Sequence, residues 1–281
     1  MKKILVPTDF SANSISGVRF AIQWASQQKL ELVFIHVLHL LRPTQWSDAY
    51  FKKYAADQEQ ECLDKISQLI AGIYSKMAIT PGKYKCIVQK GISADISLMD
   101  YCRENPGIDC ICLSTRGAGK FKKILGTHTG NLITKAGVAV LAIPKNYRAA
   151  NISHVLYATD FKNYTQEFAK VVQFAKPLKA MVEILHITWP NEISLEKSTM
   201  EAVFKKQFKY PLQLHMVKAD ASFSVVEQLQ KQIALLKPSV VIMFTEQRKT
   251  FFQRLFLSSK SEELSFESKV PLLVFNKHNQ G

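Results

Sequence analysis

The feature that most constrains this chain is that it says the same thing twice. Ile4-Leu5-Val6-Pro7-Thr8-Asp9-Phe10 recurs, 151 positions later, as Val155-Leu156-Tyr157-Ala158-Thr159-Asp160-Phe161. Leu32-Val33-Phe34-Ile35-His36-Val37 recurs as Val182-Glu183-Ile184-Leu185-His186-Ile187. Cys110-Ile111-Cys112-Leu113-Ser114-Thr115 matches Val240 to Thr245, and Val138 to Ile143 matches Val270 to Phe275. The offset falls by about twenty between the second and third of these matches, the second and fourth strands of each copy, so the second copy has the shorter excursion there. A repeat of this length points to two units of one architecture, with the boundary in Lys145 to Asn151.

Between the apolar runs the period becomes helical. Ile15, Val18, Ala21, Ile22 and Ala25 form one stripe, with Ser11 or Asn13 placed to cap its start. Cys62, Ile66, Leu69, Ile70 and Ile73 form another. Phe168, Val171, Val172 and Ala175 repeat the first stripe, and Val226, Leu229, Ile233 and Leu236 supply a later one. Strands apolar on both faces, alternating with helices, predict a parallel sheet covered on both sides. The expected fold is α/β: two tandem Rossmann-like units of five parallel strands each, residues 1–146 and 151–281.

Composition enters only to exclude. No apolar run approaches the ~20 residues that span a bilayer, and Met1-Lys2-Lys3 leads into a strand rather than a signal peptide. The five cysteines are odd in number, all lie in the first half, and show no disulfide framework, so a cytoplasmic location is expected. Cys110-x-Cys112 reads as small hydrophobes in a buried strand rather than a metal or redox pair. The net charge of +14 favours acidic partners, but the lysines are spread out without aromatic interleaving, which argues against a nucleic-acid platform.

In open parallel sheets ligands bind beyond the carboxyl ends of the strands, where strand order reverses. In the first copy those ends carry Pro7-Thr8-Asp9, His36-Val37 and Ser114-Thr115-Arg116-Gly117-Ala118-Gly119-Lys120. Gly126-Thr127-His128-Thr129-Gly130-Asn131 then opens a helix. Glycines let backbone N–H groups approach a phosphate, and a helix N-terminus offers unpaired donors and partial positive charge. Arg116, Lys120, Lys122 and Lys123 crowd that helix start, which the dipole disfavours unless an anion compensates them. The same residues also fit a plain turn and an N-cap. No P-loop Lys-Ser/Thr motif is present, and His128 reads as a packing or phosphate-contacting residue rather than a base. His36 and His186 read as satisfied structural histidines.

These motifs together resemble the universal stress protein family, once per half over nearly the whole chain. Pro-Thr-Asp-Phe-Ser at the start, His-Val closing the second strand and a glycine loop followed by Gly-Thr carry the resemblance. It implies an adenine nucleotide alpha hydrolase-like fold and an ATP site. Pro7, Thr8 and Asp9 would line the base and ribose, and Val37 would offer backbone to adenine. Leu113, Ser114, Thr115, Arg116, Gly117 and Ala118 would form the phosphate turn. Gly126, Thr127, His128 and Thr129 would close over the phosphates, which would hold any accompanying Mg²⁺.

Two departures stand out. Ser114 replaces the first motif glycine, and the spacer from Gly117 to Gly126 is one residue short of the family's nine. The second copy keeps Asp160, but its loop from Phe244 to Phe252 has no glycine, and Glu246 adds a negative charge. The expectation is a stress-response protein that senses ATP through its first half only, is not an enzyme beyond weak ATPase activity, and signals to an unidentified protein partner. A ligand-independent interaction scaffold is the alternative. The resemblance also implies that the two final strands pair within the chain, and a further homodimer is compatible with the sequence.

Overall fold

In a computed structural model, residues 2–115, 127–189, 196–245 and 270–275 are described. The first half runs β1 (Lys2–Pro7), α1 (Ile15–Gln27), β2 (Leu30–Leu38), α2 (Asp48–Met77), β3 (Tyr84–Lys90), α3 (Ala94–Glu104), β4 (Ile108–Ser114), α4 (Thr127–Lys135) and β5 (Ala139–Ile143). The second runs β6 (His154–Ala158), α5 (Tyr164–Ala175), β7 (Met181–Thr188), α6 (Lys197–Phe208), β8 (Leu212–Lys218), α7 (Val225–Leu236), β9 (Val240–Phe244) and β10 (Leu272–Phe275).

The strands make one ten-stranded sheet in the order β3-β2-β1-β4-β5-β10-β9-β6-β7-β8. Within each half every neighbour is parallel, and each half has the same order read from its outer edge inward. The halves join where β10 runs antiparallel to β5, with Leu272 opposite Ala142 and Val274 opposite Val140. The apolar edge that each half would expose is thereby covered by the other.

Helices cover both faces, and the core is correspondingly double. On one face Val18, Ala21 and Ile22 of α1, Ile66 and Ile70 of α2, Val171 of α5 and Phe204 of α6 pack on Ile4, Val6, Tyr157 and Ile184. On the other, Leu98 of α3, Leu132 and Ile133 of α4 and Leu229 of α7 pack on Leu5, Val33, Leu156 and Leu185. Alternation along each strand sends successive side chains to the two layers, so every central strand must be apolar throughout. Cys110 and Cys112 are buried in β4, as their strand context predicts. Desolvation pushes both thiols far up from their usual range.

Local signals explain the helix ends. Ser47 caps α2 by accepting from the Tyr50 amide, and α7 starts with a reciprocal Ser224–Glu227 capping box. For α1 the sequence expectation is corrected. Neither Ser11 nor Asn13 is the cap: Ser14 holds that position and makes no side-chain cap bond. The acceptor comes from another strand altogether.

Candidate functional site

The strand order reverses between β1 and β4, so the crevice at their carboxyl ends is where this topology admits a ligand. The turn leaving β1 is built by its own side chains. The Thr8 amide donates to Ile35 O (2.9 Å), extending β1 past Pro7. Thr8 is buried; its hydroxyl lies 2.9 Å from the Ser14 hydroxyl and accepts from the Phe10 amide at 3.2 Å. Thr8 therefore shapes the turn with its side chain. Asp9 is exposed, and its Oδ1 accepts from the Ser11 amide (3.0 Å) and hydroxyl (2.5 Å). Partial burial pushes the Asp9 carboxyl up, but the Ser11 hydroxyl and amide, with Ser14, outweigh it, and the group ends below its ordinary range. Asp9 is a fixed, ionised acceptor.

Phe10 sits in the left-handed region at φ 62°, a conformation that costs a non-glycine residue about 1 kcal/mol or more. Its ring lies 4.4 Å from the His36 ring, and His36 Nδ1–H donates to Thr8 O (2.9 Å). The second half repeats the device: Phe161 has φ 62°, stacks on His186 at 4.4 Å, and His186 Nδ1 bonds Thr159 O at 3.0 Å. Both histidines hold a strained turn, which agrees with the structural role expected for them. Val37 is half-buried on β2 beside Gln89 of β3.

On the β4 side, Leu113 is nearly buried, and Ser114 is the last strand residue. Its hydroxyl accepts from the Gly17 amide at 2.6 Å and donates to Ser14 O at 3.2 Å. Gly17 lies in the first turn of α1, so Ser114 caps that helix from across the sheet. The approach is close enough that a Cβ on Gly17 would stand 2.9 Å from Ser114 N and 3.1 Å from the Leu113 carbonyl carbon. Thr115 folds back, its amide and hydroxyl both donating to Ile143 O at 2.7 and 3.2 Å.

Arg116, Gly117, Ala118 and Gly126 lie outside the described residues. Thr127 and His128 open α4, and Thr129, in the same first turn, is buried. Asn131 anchors this helix by donating to the buried Asp95 of α3 at 2.7 Å. The structure thus brings Pro7, Thr8, Asp9, Leu113, Ser114 and Thr115 to adjacent strand ends. The sequence reading missed Gly17, Ser14 and Asp95. A glycine in a helix's first turn, where it costs about 1 kcal/mol against alanine, is the signal that marked Gly17.

The matching position in the second half is filled differently. Phe244, at the end of β9, is nearly buried and stacks on Phe275 at 4.9 Å. The loop with Glu246 lies outside the described residues. Among the described residues no group of three His, Cys, Asp or Glu could hold a metal ion, and no helix is long and apolar enough to cross a membrane.

Comparison with known proteins completes the picture. No curated protein matches the chain. Among solved structures, a universal stress protein from Archaeoglobus fulgidus DSM 4304 superposes with a TM-score of 0.71 at 18% identity, covering 98% of each chain. A functionally unknown protein from Pseudomonas aeruginosa PAO1 superposes with a TM-score of 0.58 at 15% identity, over 98% of this chain and 92% of that one. At these identities the likeness is one of fold. The sequence profile of the universal stress protein family matches residues 1–144. With its motifs, its topology and this match in agreement, the chain belongs to the universal stress protein family.

Proposed function

We propose that this protein binds one adenine nucleotide, ATP with Mg²⁺ carried on its phosphates, at the carboxyl ends of β1 and β4 in the first half, and that a protein partner reads the bound state. The observation that carries the reading is Asp9. It stands exposed at the point of strand reversal, ionised, with Oδ1 fixed by the Ser11 amide and hydroxyl. A preset carboxylate acceptor there suits ribose hydroxyls or an exocyclic amine. The N-terminus of α4, with Thr127 and Thr129, suits the phosphates.

Ser114 does not argue against this reading. Its hydroxyl is held by Gly17 and Ser14 of α1, so the serine that replaces a glycine is drawn to the helix rather than toward a ligand. Pro7, Val37, Leu113 and Thr115 provide walls and backbone, and Arg116, Gly117, Ala118, Gly126 and His128 complete the site in this proposal. The function is sensing rather than turnover. The second half takes no nucleotide, because the Phe244–Phe275 stack stands where Ser114 stands in the first.

The test is isothermal titration of ATP-Mg²⁺ into the wild type, Asp9→Ala and Asp160→Ala. One site per chain in the wild type and in Asp160→Ala, lost in Asp9→Ala, is expected. Absence of heat from the wild type at millimolar nucleotide would leave the scaffold reading in its place.

A further inference from the structure

α4, whose N-terminus suits the phosphates in the reading above, is held from the side by α3. Asp95 lies in the first turn of α3 and is 4% exposed. Its Oδ1 accepts from the Ser93 hydroxyl, and its Oδ2 accepts from the side-chain amide of Asn131 at 2.7 Å. Asn131 is the fifth residue of α4, so its side chain reaches away from its own helix to a carboxylate on the neighbouring one. Leu98 of α3 and Leu132 and Ile133 of α4 belong to one core cluster.

α3 is in turn fixed to β2. The Gly91 amide donates to Leu38 O at 3.1 Å, and the Ser97 amide and hydroxyl both donate to Ser93 O, at 3.0 and 2.8 Å. A Cβ on Gly91 would stand 1.9 Å from Ser97 Oγ and 3.5 Å from Val37 Cγ1, so a side chain at 91 would displace the Ser97 hydroxyl from Ser93 O. Contacts thus run from the Val37–Leu38 end of β2 through Gly91, Ser97 and Ser93 to Asp95, and from Asp95 to α4.

A buried carboxylate is costly unless it is paired and hydrogen-bonded, and the fold does not require one at this position. Counted from the helix starts, Ala94 and Val225, the residue of α7 that matches Asp95 is Val226, which is buried and apolar. The matching serines differ in the same sense. Ser224 caps its own helix by accepting from the Glu227 amide, whereas Ser93 makes no side-chain cap bond and gives its hydroxyl to Asp95. One position is therefore filled by packing in the second half and by a polar bracket in the first. The bracket lies in the half that carries the proposed site, and it grips the helix that the site uses.

We propose that Asp95 is a positioning residue of the nucleotide site: through Asn131 it sets the orientation in which the first-turn amides of α4 meet the phosphates. The inference rests on the nucleotide reading above and adds to it a residue that acts on the ligand only through another. Such a role is selective. Releasing α4 weakens what the phosphates contribute and leaves the base and ribose contacts at Asp9 and Val37 in place. A merely structural role lowers stability and affects every ligand alike.

The experiment is titration calorimetry of the full chain with ATP-Mg²⁺, with adenosine as a displacing competitor, on wild type, Asp95→Ala, Asn131→Ala and Asp95→Asn. Circular dichroism confirms the fold of each. In Asp95→Ala and in Asn131→Ala, ATP affinity is expected to fall about tenfold or more, the equivalent of one hydrogen bond to a charged group, while adenosine affinity stays at the wild-type value. Asp95→Asn keeps an acceptor for Asn131 and a partner for the Ser93 hydroxyl, and it is expected to bind ATP much as the wild type does. If Asp95→Ala fails to fold, Asn131→Ala, whose side chain is half-buried, carries the test. Unchanged ATP affinity in Asn131→Ala, or equal losses for ATP and adenosine, overturns the positioning role while the nucleotide reading stands. No heat from ATP with the wild type overturns both.

Discussion

The hydroxyl of Ser114 at the end of β4 lies 2.6 Å from the amide nitrogen of Gly17 in the first turn of α1, and the two residues define each other's size. Gly17→Ala brings a Cβ to 2.9 Å from backbone that cannot swing away. Overpacking of this kind costs about 1–3 kcal/mol. Ser114→Ala removes a cap acceptor and costs about 1 kcal/mol. The double variant is expected to cost clearly less than the sum, because both changes break the same contact. Urea unfolding of the four proteins checks this, and strict additivity would show that the contact contributes nothing.

His36 and His186 hold matching turns, so matching losses are expected. His36→Leu leaves Thr8 O without its donor and Phe10 without a ring partner. His186→Leu takes the donor from Thr159 O and one ring partner from Phe161, which keeps Tyr164 and Phe204. Each is expected to lower stability by about 1–3 kcal/mol. Because the two sites lie in different halves, the losses should add within about 0.5 kcal/mol. A chemical-denaturation midpoint unchanged in either variant would remove the structural role assigned to that histidine.

Glu183 of β7 is buried, with Oε2 3.2 Å from His154 Nε2 and 3.4 Å from His215 Nε2 on the flanking strands. Replacing both histidines by leucine takes these two polar neighbours from the buried Glu183 carboxyl and is expected to cost about 1–3 kcal/mol. Restoring an apolar environment with Glu183→Val as well should recover most of that loss, since the matching residue of the first half, Val33, is fully buried and apolar. Thermal melts of the double and triple variants decide the point. A triple variant no more stable than the double would contradict it.

The cysteines give a chemical readout of the core. Desolvation holds the Cys102 thiol up at about 12 and lifts Cys110 and Cys112 further, so little thiolate forms near neutral pH. A disulfide reagent at pH 8 is expected to leave these three untouched in the native protein and to titrate all five in urea. Prompt native reaction at Cys110 or Cys112 would mean that β4 is not buried in the core.

Much of the fold was legible because parallel strands buried on both faces must be apolar throughout, and this chain wrote such runs twice. β1 and β6, or β2 and β7, announce each other. The intramolecular β5–β10 pairing followed from the resemblance and from the need to cover two apolar edges. The site was only half legible. Strand-end positions such as Asp9 follow from topology, but what their side chains do there depends on contacts far apart in sequence. Thr8 read as a ligand-side residue, yet its side chain belongs to the turn. Ser114 read as a lapse from a glycine pattern, yet it caps a helix that starts about a hundred residues earlier. Local rules place a cap on Ser11 or Asn13 because they cannot see a hydroxyl arriving from β4.

The most direct test of the account is to photolabel the full chain with 8-azido-ATP and map the modified peptides by mass spectrometry, with and without excess ATP. Labelling confined to peptides of the first half near Pro7–Asp9, Val37 or Leu113–Thr129, and suppressed by ATP, is the predicted result. Labelling that ATP does not suppress, or that falls on the second half around Asp160 and Phe244, would contradict it.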